Sequence, residues 1–278
     1  MEGHTFSSRQ VGDYQVTALF DGAMAVGFEL LAGIDAAAAG EIQSSHGVTP
    51  HATIDISSYL IRGHGRVMLV DAGTGGRNNA GGGLSAALRA SGVAPEDIDT
   101  VFLTHGHPDH LGGLLREDGE PAYPHAALCL HPAEAAFWQD EARLLAANER
   151  TQRNILLARR TLERYAPRLR FTDDADIAPG VRPVPLPGHT PGHTGLRIDS
   201  CAESLLIWGD IVHYPFIQTA HPSVTIAFDN DPAQAEITRQ TVLAQAARER
   251  LLIAGMHTGR QGFAYVQQAG DGYRLIPA

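Results

Sequence analysis

Apolar residues recur in short runs at 14–20, 53–62, 66–70 and 99–104, rich in β-branched and aromatic side chains, and these predict strands. Between and after them the period changes. Residues 83–91 and 111–116 read as short helices, and 132–165, rich in Ala, Leu and Arg, reads as a helical segment. Strands return at 181–186, 194–198 and 204–208. Asp231 then N-caps a helix with Pro232 in its first turn, running to about residue 250, and 251–254 resumes as a buried strand. Strand runs in both halves, each followed by helices, predict an α/β architecture: two sheets face to face with helices outside, a four-layer αββα sandwich. No repeat or low-complexity linker divides the chain. Residues 1–278 are therefore expected to form one domain, with a helical insertion at about 132–165. The glycine-rich stretch 73–83 reads as a mobile loop that could border a site.

Composition narrows the classes of partner. The 278 residues are 44% hydrophobic, enough for a sizeable buried core. There is no run of eighteen apolar residues, and residues 1–10 lack a signal-peptide pattern, so a cytoplasmic protein without a membrane partner is expected. A net charge of −10 with no basic run disfavours nucleic acid. Cys129 and Cys201 are too few and too distant for a disulfide framework or a thiolate zinc knuckle. The fourteen histidines, by contrast, fall in tight clusters.

The densest cluster is Thr104-His105-Gly106-His107-Pro108-Asp109-His110, directly after an apolar strand. Extended backbone points His105 and His107 the same way, and the turn at Pro108 returns Asp109 and His110 from a helix start. One ion could not use all four comfortably. Imidazole and carboxylate suit zinc, and also iron, manganese or cobalt. In Pro187-Gly188-His189-Thr190-Pro191-Gly192-His193-Thr194 two histidines compete. Thr194 opens the next strand, which puts His193 at the strand entrance and makes it the expected ligand, with His189 a turn or supporting residue. Apolar strands also deliver Asp210, suited to bridge two ions, and His257. Asp71, closing the strand at 66–70, is expected to hold one imidazole by its other nitrogen.

The order His105, His107, Asp109, His110, His193, Asp210, His257 resembles the ligand pattern of the metallo-β-lactamase superfamily across essentially the whole chain. The resemblance implies the αββα fold and two divalent ions, zinc foremost. His105, His107 and His193 would bind one ion, Asp109, His110 and His257 the other, with Asp210 bridging and a hydroxide between them. Within the superfamily the chain is similar to the methyl parathion hydrolase group through Gly12-Asp13-Tyr14-Gln15-Val16-Thr17-Ala18, Phe137-Trp138 and Pro222-Ser223-Val224-Thr225-Ile226. That likeness implies a homodimer and puts Trp138 in the substrate pocket. The chain departs from the group at Arg77-Asn78-Asn79 and around 153–157, polar or aliphatic where the group carries phenylalanines. It departs from the related lactonases at His213, which stands where they carry a tyrosine, with Tyr214 one step later.

The expected activity is hydrolysis of a lactone or other carboxylic ester. Asp109 would relay a proton, Asp210 would bridge, and His213 or Tyr214 would assist. Phe216 and Phe228 either line the pocket or pack in a subunit interface. A phosphotriesterase is the alternative within hydrolases. From other classes, a thiol or persulfide oxygenase with a single iron would leave the second ligand set without a purpose, and a non-catalytic binding module would not need an open metal site.

Overall fold

The computed structural model describes residues 6–48, 52–172 and 175–278. Seven strands form the first sheet in chain order: Ser7–Val11, Tyr14–Ala25, Thr53–Gly63, Arg66–Val70, Thr100–Phe102, Ala127–Leu130 and Leu169–Phe171. Six form the second, in the spatial order Gly272–Pro277, Phe263–Ala269, Leu252–Ala254, Glu203–Ile207, Thr194–Ser200 and Val181–Pro185. Parallel pairing is confined to the four strands from Arg66 onward in the first sheet and to Glu203–Ile207 with Leu252–Ala254 in the second.

The side-chain period of two produces the layers. Met68 and Val70 point between the sheets and share a cluster with Phe102, Ile198, Ile207 and Phe263. Leu69 and Val101 turn the other way and join Leu88, Ile155, Ala158 and Leu162 from the helices Leu84–Ala90 and Glu149–Tyr165. On the far side, Leu206 and Ile253 pack on Val242, Leu243 and Ala246 of the helix Pro232–Glu249. The result is the four-layer αββα sandwich, each sheet buried on both faces, which is why its strands read as nearly unbroken apolar runs.

Several elements differ from expectation. The segment at 132–165 divides into three helices, Pro132–Gln139, Glu141–Ala146 and Glu149–Tyr165. The breaks fall at Asp140 and Asn148, whose side chains accept backbone N–H groups of the helix that follows. The helix expected at 111–116 is instead one turn, Pro108–Leu111, followed by a 3-10 turn, Gly112–Leu114. The loop at 73–83 is pinned by Asp21, whose buried carboxylate accepts Thr74 N–H, Thr74 Oγ, Gly82 N–H and Leu84 N–H at 2.9–3.0 Å. Among the described residues no helix is long and apolar enough to cross a membrane.

Candidate metal centre

Strand ends and short turns deliver the polar groups to one edge of the sandwich. Asp71 follows the strand Arg66–Val70, residues 105–110 follow Thr100–Phe102, Asp210 follows Glu203–Ile207 and His257 follows Leu252–Ala254. Two backbone bonds hold the sheets together here, Thr194 N–H to Thr104 O at 3.0 Å and Ser57 N–H to Met256 O at 2.9 Å.

Two nests of ligand atoms result. In the first, His105 Nε2, His107 Nδ1 and His189 Nε2 lie 2.9–3.2 Å from one another. In the second, His110 Nε2 and His257 Nε2 each lie 3.2 Å from Asp210 Oδ2, with Asp109 Oδ2 at 3.5 and 3.6 Å from them. Asp210 Oδ2 also stands 3.7 Å from His105 Nε2, 3.5 Å from His189 Nε2 and 3.2 Å from His213 Nε2, so one oxygen belongs to both nests. Nitrogens at the corners of a zinc tetrahedron with bonds near 2.0–2.1 Å stand roughly 3.3 Å apart, close to this spacing. His110 Nε2, Asp210 Oδ1 and His213 Nδ1 are buried without a hydrogen-bond partner. Acceptors converging in this way around one oxygen fit divalent cations and suit little else.

The opposite nitrogen of most of these rings is held by protein, which fixes tautomer and direction. His110 Nδ1 donates to Asp71 Oδ2 at 2.7 Å, His189 Nδ1 to Asp229 Oδ1 at 2.9 Å and His257 Nδ1 to Asp55 O at 2.7 Å. The Thr104 hydroxyl donates to Asp71 Oδ2 and stands 3.1 Å from His105 Nδ1, which it is placed to accept. Asp71 achieves its reach with φ +58, a left-handed conformation that non-glycine residues adopt at a cost of about 1–3 kcal/mol. Burial, with His110 next for His105 and His189 for His107, holds both rings well below the imidazole range, so they are neutral donors of a lone pair. Burial also opposes a charge on His110, but Asp210, Asp109 and Asp71 carry it well above that range. Despite burial, Asp210 lies well below the carboxylate range under the pull of His110, His257 and His213.

Three sequence-based assignments are corrected by the geometry. His193 does not face the nests: its Nδ1 donates to Leu186 O at 2.8 Å and its Nε2 accepts Asp210 N–H at 2.9 Å, leaving no lone pair for a metal. His189 occupies the place expected of it. Gly209, with φ +60, permits this contact, since a Cβ there would sit 2.4 Å from His193 Nε2. Tyr214 is buried away from the cluster, its hydroxyl donating to Val26 O and its ring beside Phe28. It turns away because its backbone begins the helix Pro215–Ala220. Phe216 lies outside the pocket, stacked on His46 at 4.2 Å.

His213, Trp138 and Phe228 do line a pocket of about 830 Å³ that opens onto His107, Asp109, His189 and Asp210. The pinned loop at 73–83 contributes Thr74, Arg77, Asn79 and Ala80 to its rim.

Two further positioning groups escape sequence reasoning. Buried Glu134 accepts Gly106 N–H and Trp138 Nε1 on one oxygen, at 2.8 and 2.6 Å, and the Thr190 hydroxyl and Gly192 N–H on the other, at 2.6 and 3.2 Å. It thereby ties the 105–110 turn to the 187–193 turn. Asp229 holds His189 and lies 3.6 Å from the buried Arg239, which also binds the carbonyls of Ile211, Pro222 and Val224. A lone acid in a helical segment and an aspartate beside a helix cap give no such signal in the sequence.

A family model described as the metallo-beta-lactamase superfamily matches residues 53–257, a span that contains both nests. The chain belongs to the metallo-β-lactamase superfamily. Among curated members, metallo-beta-lactamase domain-containing protein 1 of Mus musculus is 42% identical over 85 residues, 31% of this chain; the match spans only 29% of that protein. Among solved structures, hydrolase AbOPH of the beta lactamase superfamily is 30% identical with a TM-score of 0.89, over 98% of this chain and 97% of its own. AidC, a dizinc quorum-quenching lactonase in complex with the product N-hexanoyl-L-homoserine, is 25% identical with a TM-score of 0.92 over the same shares.

Proposed function

We propose that the chain is a binuclear metal-dependent hydrolase of lactones or other carboxylic esters. The observation that carries this reading is Asp210 Oδ2, the one carboxylate oxygen among the described residues within 3.7 Å of ligand nitrogens in both nests. His105, His107 and His189 would hold one ion and Asp109, His110 and His257 the other. Zinc suits three imidazoles plus a shared carboxylate as well as it suits the mixed set. Bound there, two such ions supply an acidified water and a Lewis acid for a carbonyl oxygen.

The chain's own residues do the rest. Asp109 is 14% exposed and lines the pocket, where it can carry a proton to the departing alkoxide. His213 lines the pocket and donates from Nε2 to Asp210 at 3.2 Å, so its assistance would be to orient the bridging carboxylate beneath the substrate. Trp138 and Phe228 exclude water around the acyl group. The dizinc lactonase similar to this chain supports the lactone reading. A mononuclear iron oxygenase would leave Asp109, His110 and His257 without a purpose.

The test combines metal analysis with hydrolysis of a lactone, an aryl ester and paraoxon by wild type and Asp210→Ala. Two ions per chain, with ester or lactone turnover lost in the variant, is the expected result. Paraoxon as the best substrate makes the protein a phosphotriesterase. One iron, with oxygen uptake on a thiol and no hydrolysis, overturns the hydrolase reading.

A further inference from the structure

The pocket above the nests has two unlike sides. Met24, Val26, Leu30 and Phe228 belong to one hydrophobic cluster and form the apolar side. Opposite them in character are three guanidinium groups, Arg77 from the pinned loop and Arg143 and Arg150 from the helical segment. None of the three forms an ion pair with a described carboxylate, in a chain whose 31 acids outnumber its 21 cations.

Arg143 is the best prepared of them. Its guanidinium stacks 3.6 Å from the Phe137 ring centre and 5.8 Å from that of Trp138, whose ring stands 5.5 Å from His107. One arm donates to Asn230 Oδ1 at 3.0 Å, while Nε is buried with no partner. Arg77 is likewise directed, its Nε donating to Gly112 O at 3.1 Å just past the turn that carries Asp109 and His110. Desolvating a cation without an acid is costly, and the fork of a guanidinium matches a planar carboxylate in two parallel bonds.

We propose that the substrate is an ester or lactone bearing a separate free carboxylate. Arg143, with Arg77 and Arg150, binds that carboxylate, and Met24, Val26 and Phe228 cover the aliphatic stretch leading to the scissile carbonyl at Asp210. The proposal rests on the hydrolase reading for its chemistry. Hydrolysis adds water across the acyl C–O bond and releases an acid and an alcohol, so one product carries a second carboxylate or a hydroxy acid results.

The experiment compares 4-nitrophenyl hydrogen glutarate with 4-nitrophenyl pentanoate, equal in length and differing in the terminal charge, on the metal-loaded protein. The expected kcat/KM ratio is about tenfold or more in favour of the anionic ester, residing in KM. It collapses toward one in Arg77→Gln/Arg143→Gln and is partly restored by Arg143→Lys. A wild-type ratio of one or below overturns the proposal. If neither ester is cleaved, the hydrolase reading fails by itself, and the anion site is read from binding of glutarate against pentanoate by calorimetry. Each offers one carboxylate to the metals and only glutarate has a second. Tighter glutarate binding in wild type, lost in the double variant, supports the site; equal binding overturns it.

Discussion

His193 Nε2 accepts the backbone N–H of Asp210 at 2.9 Å, so this ring fixes a neighbouring carboxylate instead of facing the ligand nests. His189→Ala is therefore expected to lose one of two ions per chain and at least about a hundredfold in hydrolysis. His193→Ala keeps every ligand but strands Asp210 N–H and Leu186 O, at a cost of about 2 kcal/mol or more. Elemental analysis beside urea unfolding separates the two. Loss of an ion in His193→Ala with full metal content in His189→Ala would reverse the assignment.

Glu134 satisfies four donors from two turns, and Glu134→Ala leaves all of them buried without an acceptor. A cost of about 3 kcal/mol follows, together with a tenfold to hundredfold weaker metal affinity, about the scale of other groups that orient ligands. Glu134→Gln retains one carbonyl oxygen and should recover about half of each. Zinc titration gives the decisive number: wild-type affinity in Glu134→Ala would remove the positioning role.

Asp229→Asn replaces the acceptor that fixes His189 Nδ1–H with a group able to present either an oxygen or an amide. Activity is expected to fall about tenfold to hundredfold with KM little changed. A change confined to KM would argue that Asp229 contacts substrate.

How far the sequence spoke can be judged from these residues. The histidine string after Thr104 is local, and its spacing alone brings four groups to one turn. The paired histidines at 189 and 193 lie four residues apart in one Gly-Pro-rich turn, and only the third dimension reveals that Leu186 and Asp210 capture one of them. Tyr214 and Phe216 follow Asp210 closely in sequence, but a helix start sends both away from the pocket. Glu134, Asp229 and Asp21 act across long sequence separations, which no periodicity encodes. The strands Phe263–Ala269 and Gly272–Pro277 lie at the end of their sheet, with several exposed positions that break the apolar pattern.

Away from the centre, Asp99 tests the acid limb of stability. Burial would raise its carboxyl, but hydrogen bonds from Arg66, Val67 N–H and Thr100 hold it below the usual range. Its side chain is 36% exposed, so the contribution is discounted to about 0.5–1 kcal/mol. A depressed folded value stabilises above the ordinary carboxylate pKa and loses that benefit as pH falls through the folded value. Asp99→Asn should thus be less stable than wild type at neutral pH and converge with it in acid. A constant gap from neutral pH to about pH 3 would contradict this origin.

Each nest draws from both sheets: His105 and His107 meet His189, and Asp109 and His110 meet Asp210 and His257. Neither half of the chain owns a complete cage. For either nest, a cation arriving early in folding would find only two of its ligands on one half of the chain, the other half supplying His189 with the shared Asp210, or Asp210 with His257. On the binuclear reading, metal capture would thus be a late event that reports whether the two halves have docked in register, and a shear of one sheet past the other would release bound ions before it unfolded either half.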